Sequence, residues 1–208
     1  MPGVVLLALL GVVSVVVWTT VLGPAASEAI ACPPPSSTAP PYSGDTLPRT
    51  ALDTVAPAPP QLASIRVLNA NGMRGEASIV SEGLTGLGFV TADAPINDPL
   101  HPDFGLSCHG QIRFGTQGEP AARTISLVVP CAQLVRDVRT DDVVDLSLGT
   151  EFIGLRPSAE ARSALRSLAQ LGEPAPPSDG EPRGGQVGDE VQPTIDPELV
   201  QAARHARC

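Results

Sequence analysis

The sequence predicts a single small α+β domain, and three observations predict it. Ile65 to Ala77 reads IRVLNANGMRGEA, passing from alternation at Ile65 and Val67, through a glycine turn, to helical spacing at Ala77, Val80 and Leu84. Proline and glycine concentrate at Pro33 to Pro60 and at Gly172 to Pro193, so one stretch between them is left to bury a core. Within residues 62–152 the patterns follow the order β-α-β-β-α-β. That order fits a split βαβ sandwich of the ferredoxin-like kind, one sheet with two helices on one face.

Each element has its own warrant. A strand is expected at Ser64 to Asn69, a helix at Gly75 to Leu87 stopped by Gly88, and a short strand at Phe89 to Ala92. Asp93 to Ser107 carries Pro95, Asn97, Pro99 and Pro102 and reads as loop. A strand at Gln111 to Phe114 follows, then a helix opened by Glu119 and Pro120 and running towards Val135, which Pro130 should kink near Val129. Val143 to Leu148 completes the set. Beyond Phe152, Pro157 to Leu171 aligns Ala161, Ala164, Leu165, Leu168 and Leu171 in one stripe, the mark of an added amphipathic helix. Residues 172–194 read as a flexible Pro/Gly linker, after which Asp196 and Pro197 cap a short terminal helix within the 153–208 extension.

The N-terminal part follows a different logic. Gly3 to Leu22 is uncharged and long enough to cross a hydrocarbon core of about 30 Å, so residues 1–23 are expected to be a retained transmembrane anchor. A cleaved leader, or a lipoprotein acylated at Cys32, fits less well because Cys32 lies well past the apolar run. Residues 24–61 are rich in Pro, Ser, Thr and Ala and read as an extended extracytoplasmic tether that could reach on the order of 90 Å.

Charge and cysteines narrow the setting. Net charge is −9 and every cation is arginine, so no basic field suits nucleic acid. The four cysteines Cys32, Cys108, Cys131 and Cys208 lack zinc-like spacing and follow the apolar segment, which points to disulfides in an oxidising compartment outside the cell membrane. Sequence leaves three connectivities open. If Cys108 precedes a strand and Cys131 sits in the later part of the helix returning antiparallel to it, the two share an edge, so the expected pairs are Cys108–Cys131 and Cys32–Cys208.

The motifs VLNxxGxxGxA at Val67 to Ala77, LGF at Leu87 to Phe89 and DLSLGTEF at Asp145 to Phe152 resemble the LytR C-terminal domain of bacterial cell-envelope proteins, over about Ser64 to Phe152. In that family the domain often follows a LytR-CpsA-Psr catalytic domain, which transfers wall glycopolymers from lipid carriers. Nothing in this chain has room for that domain. The resemblance therefore implies a non-enzymatic module that supports envelope integrity by binding wall glycan, a lipid-linked precursor or an envelope-assembly protein.

Candidate sites are few. Asn69, Asn71 and Arg74 surround the glycine turn, where free N–H groups and a guanidinium could hold an anion, although such glycines usually serve the turn itself. No catalytic residue, metal or cofactor is expected: His101, Cys108 and His109 are badly spaced for zinc, and no hydrolase motif is present. Two rivals remain. Asp141, Asp142 or Asp145 could act as acid or base in an envelope-polymer enzyme, although turn and solvent-facing positions explain them better. Alternatively, the Pro157 to Leu171 helix could be the partner surface of a scaffold.

Overall fold

The computed structural model describes residues 31–172 and 195–204, with the isolated positions Gly11 and Ser14. Its strands are β1 (Gly44–Leu47), β2 (Ser64–Asn69), β3 (Val90–Thr91), β4 (Ile96–Asn97), β5 (Gly110–Phe114), β6 (Gln133–Asp137) and β7 (Val144–Leu148). The helices are α1 (Glu76–Gly86), α2 (Glu119–Val128), α3 (Ala159–Leu171) and α4 (Pro197–Arg204). Alternation places Ile65, Val67, Ile112, Phe114, Leu134, Val144, Leu146 and Leu148 on one sheet face, where they pack with Val80 and Leu84 of α1, Ile125 and Val128 of α2 and Leu165 of α3. The α+β class therefore stands.

The ferredoxin-like topology does not. The sheet order is β1-β6-β5-β7-β2-β3, with β4 also beside β2. In a split βαβ unit the two strands joined by a helix flank a third. Here β2 and β3 are direct parallel neighbours across α1, and β5 and β6 are direct parallel neighbours across α2. The last strand, β7, enters between the two units, parallel to β2 and antiparallel to β5. Every residue of β7 is buried, as befits a strand covered on both faces.

Pro130 ends α2 instead of kinking it. The helix stops at Val128, and the segment expected to continue to Val135 becomes β6. Proline lacks the N–H and clashes with the preceding turn, so the chain extends after it. At the C-terminal end α3 begins as expected, with the Ser158 hydroxyl accepting from Ala161 N at 3.0 Å. Its apolar stripe is not free for a partner: Ala161, Ala164 and Leu168 pack with Leu127 of α2 and with Val200 and Ala203 of α4, and Leu165 enters the main core. Asp196 Oδ1 caps α4 by accepting from Glu198 N at 2.8 Å.

The larger correction concerns the tether. The described part of 24–61 is woven into the domain. β1 pairs antiparallel with β6, Leu52 is fully buried in the core with Val55 against it, and Ala58 N donates to Pro120 O at 3.1 Å. Proline limits regular structure here to short pieces without preventing burial, because apolar residues between the prolines, Leu52 and Val55 among them, pack on the core. Among the described residues no helix is long and apolar enough to cross a membrane, and the expected anchor at Gly3 to Leu22 lies, apart from Gly11 and Ser14, outside them.

Candidate functional site

The second face of the sheet is polar, yet it is buried. Register puts Gln133, Gln111 and Ser147 in one cross-strand row and Arg113, Asp145 and Arg66 in the next. Asp98, from the loop after β4, accepts a two-pronged hydrogen bond from Arg113, Nη1 to Oδ1 at 3.0 Å and Nη2 to Oδ2 at 2.6 Å. Ser147 Oγ and Leu100 N also donate to it. Arg113 Nε reaches Gln111 Oε1 at 2.9 Å, and Gln111 reaches Gln133 at 2.8 Å. Burial disfavours the Asp98 anion, but the hydrogen bonds and charge of Arg113, with Ser147 and Leu100, outweigh it and hold the carboxyl below the usual range.

Asp145 belongs to an adjoining group, and the expectation that it faces solvent is overturned. It is 4 % exposed and lies between Arg66, at 2.7 Å, and Arg139, at 2.8 Å. Arg139 also grips Asp137. Asp141 and Asp142 stay exposed, and Asp141 accepts from Val143 N, so neither shares the buried ion pairs of Asp145. Asp145 is thus committed to two ion pairs.

The strap 31–43 covers this face and is pinned by Cys32–Cys108. That bond replaces both expected pairings. Cys108 sits with Cys32 against Ala70 and Leu106, whereas Cys131 borders a cleft on the helix side, so a shared edge did not mean a shared face. Cys131 is disulfide-bonded as well, and Cys208 lies outside the described residues. Tyr42, on the same strap, stacks over Arg113 at 5.9 Å and donates to Asp137 at 3.3 Å. Burial first, then the Asp137 charge, push its phenol up to about 12.

A titration tests the strap. Tyr42 is the one tyrosine of the chain, so phenolate absorbance reads it alone. Its midpoint is expected near 12 instead of 10. The folded chain keeps a proton there that the unfolded chain releases, so stability should fall as pH rises through that window. A midpoint near 10 would show the strap is not seated.

The glycine turn uses its asparagines internally. Asn69 Oδ1 accepts from Asn71 N at 3.2 Å and from Gly72 N at 2.9 Å, while Asn71 Nδ2 donates to Glu76 Oε2 at 2.6 Å and to Gly149 O at 3.0 Å. Gly72 and Gly75 hold φ of 77° and 80°, and the Phe104 ring closes on Gly72, so a side chain there would meet both backbone strain and the ring. Asn69 and Asn71 therefore build the turn, and Arg74 alone of the three stays exposed.

Sequence reasoning missed the cleft beside this end of the sheet. A volume of about 230 Å³ is lined by Val128, Val129, Ala132, Leu146 and Phe152, with Ile153 and Arg156 exposed at its mouth. His109 is there too, its Nδ1 3.5 Å from Glu151. His101 lies apart, buried in the 98–106 loop. The signal for the cleft was local: FIGLR at Phe152 to Arg156 sets large apolar residues around Gly154 (φ 96°), with Phe152 and Leu155 against the core and Ile153 exposed.

The sheet and its helices form one α+β domain, and within it residues 63–152 match the family described as LytR cell envelope-related transcriptional attenuator. The chain belongs to the LytR C-terminal family. It is similar to the cell envelope integrity protein Cei of Mycobacterium tuberculosis, with 41% identity over 172 residues that cover 80% of this chain and 79% of that protein. It also resembles the crystal structure of the soluble domain of a conserved hypothetical secreted protein from Mycobacterium marinum, at TM-score 0.64 and 37% identity, covering 79% of this chain and 98% of that one.

Proposed function

We propose that the chain is a membrane-anchored, extracytoplasmic, non-enzymatic module that supports cell-envelope integrity, and that its cleft holds the apolar tail of a lipid-linked envelope precursor with the phosphate against Arg156. The envelope role is supported by the likeness to Cei. The cleft carries the ligand class: its lining is apolar, with a cation at the mouth, which suits a chain with an anionic head. Wall glycan is the weaker fit, since a polar polymer wants many convergent hydrogen-bonding groups and this lining supplies few. A non-enzymatic role is supported by the carboxylates, of which Asp98 and Asp145 are locked in ion pairs and Asp141 in a turn.

Photocrosslinking tests this reading. A photoreactive polyprenyl phosphate added to membranes holding the full chain is expected to label the Phe152 to Arg156 peptide. Ile153→Glu and Arg156→Ala, both at exposed positions, should each cut labelling by about five- to tenfold without loss of fold. Labelling elsewhere, or labelling indifferent to both changes, would refute the site. Protection by purified wall glycan or by a co-purified envelope protein would move the assignment to those partners.

A further inference from the structure

Three arginines lie close together where α4 closes on α2, and among the described residues one carboxylate, Asp53, pairs with one of them. Arg204 donates from Nη1 to Ser126 Oγ at 2.6 Å and from Nη2 to the carbonyl of Arg49. Arg49 returns the contact to Arg204 O at 3.3 Å and also reaches Pro130 O at 3.2 Å. Arg123, one turn before Ser126 on α2, pairs with Asp53 at 2.8 Å and is 4 % exposed. Its buried Nε has no acceptor. Asp53 is itself half open to solvent. The remaining acceptors are carbonyls and a hydroxyl, which solvate a cation without cancelling its charge. Burial, then the Arg123 and Arg49 charges, push Arg204 down to about 10, with Asp53 opposing.

Such an excess is unexpected in a chain of net charge −9. Arg123 and its partner Asp53 also line an open groove of about 360 Å³ with Val55, Leu168 and Ile195, which gives a ligand a way in to Arg123, while Arg49 and Arg204 lie outside that lining. We propose that Arg49, Arg123 and Arg204 form a binding site for a phosphoryl anion, either free phosphate or a phosphomonoester head group. Among the described residues, three cations against one carboxylate leave two positive charges, which a phosphate near neutral pH matches, and the planar guanidinium forks suit its oxygens. This site shares no residue with the cleft lined by Phe152 and Arg156.

Thermal melting of the oxidised full chain in neutral detergent, at constant ionic strength, tests it. Inorganic phosphate replacing chloride is expected to raise Tm saturably in the wild type. Arg204→Gln should raise the phosphate midpoint by about tenfold. In chloride alone its Tm should hold or rise, because an uncancelled buried cation is gone. Arg49→Gln, at a partly exposed position, should show the same loss of response. Mixed micelles containing phosphatidic acid form a second arm: a response there without one to free phosphate assigns the site to a lipid head group, and the reverse assigns it to a soluble anion. A wild type indifferent to both, or variants that respond like the wild type, would overturn the proposal.

Discussion

Joint replacement of Cys32 and Cys108 by serine and alanine is expected to cost the domain about 4–5 kcal/mol, because the bridge closes a loop with a sequence separation of 76. The chain-entropy relation gives about 4.5 kcal/mol for a loop of that size, and the lost contact of Cys32 with Ala70 and Leu106 adds to it. Urea unfolding of oxidised chains, with Cys131 left bonded, is the measurement. A change below about 1 kcal/mol would mean the strap is held by Tyr42 and β1 without the bridge.

Arg113→Ala is expected to be comparably severe, at about 3–5 kcal/mol, because it strands the Asp98 carboxylate in a site with 0 % exposure. Asp98→Ala should do the same to the guanidinium. Replacing both, as Asp98→Leu with Arg113→Met, should recover at least half of either loss, since an apolar pair leaves no orphan charge. Additive losses would show that the pair is not coupled. The pH dependence follows from the sign of the shift. The folded Asp98 carboxyl titrates below its unfolded value, so its contribution is complete above the ordinary carboxylate range and disappears as pH falls through the folded value. Asp98→Asn should accordingly flatten the acid limb of the stability curve.

The sequence was legible where a residue's local pattern had one solution. Ile65 and Val67 before Gly72 and Gly75 permit little besides strand, turn and helix, and β2 and α1 form there. The stripe of Ala161, Ala164, Leu165 and Leu168 likewise gave α3. β6 was hidden because Ala132 to Val135 continues the apolar spacing of α2, so Pro130 could be taken as a kink inside one long helix. β1 was hidden because Gly44 to Leu47 is mostly exposed on an edge, where burial leaves no pattern. Asp145, Arg113 and Arg66 alternate with core residues, and alternation cannot tell a face in water from one roofed by a distant strap. The candidate site was half readable: the position of the glycine turn was sound, but Asn71 is held in part by Gly149 O, which the sequence places far away. The choice between Cys32 and Cys131 as partner of Cys108 turned on which face each approached.

The position of β7 also governs how the chain can fold. Ribosomal synthesis delivers β2, α1, β5, α2 and β6 before Val144 to Leu148 exists, and β2 and β5 have no hydrogen bond to each other without it. Until that strand arrives, the two parallel units are separate, each with an open edge facing the other, and Arg113 and Arg66 have no Asp145 between them. Centre-last assembly of this kind has long-range closure as its slow step and exposes strand edges while it waits. The interval between emergence of β6 and insertion of β7 is thus when the nascent chain most needs shielding from its neighbours.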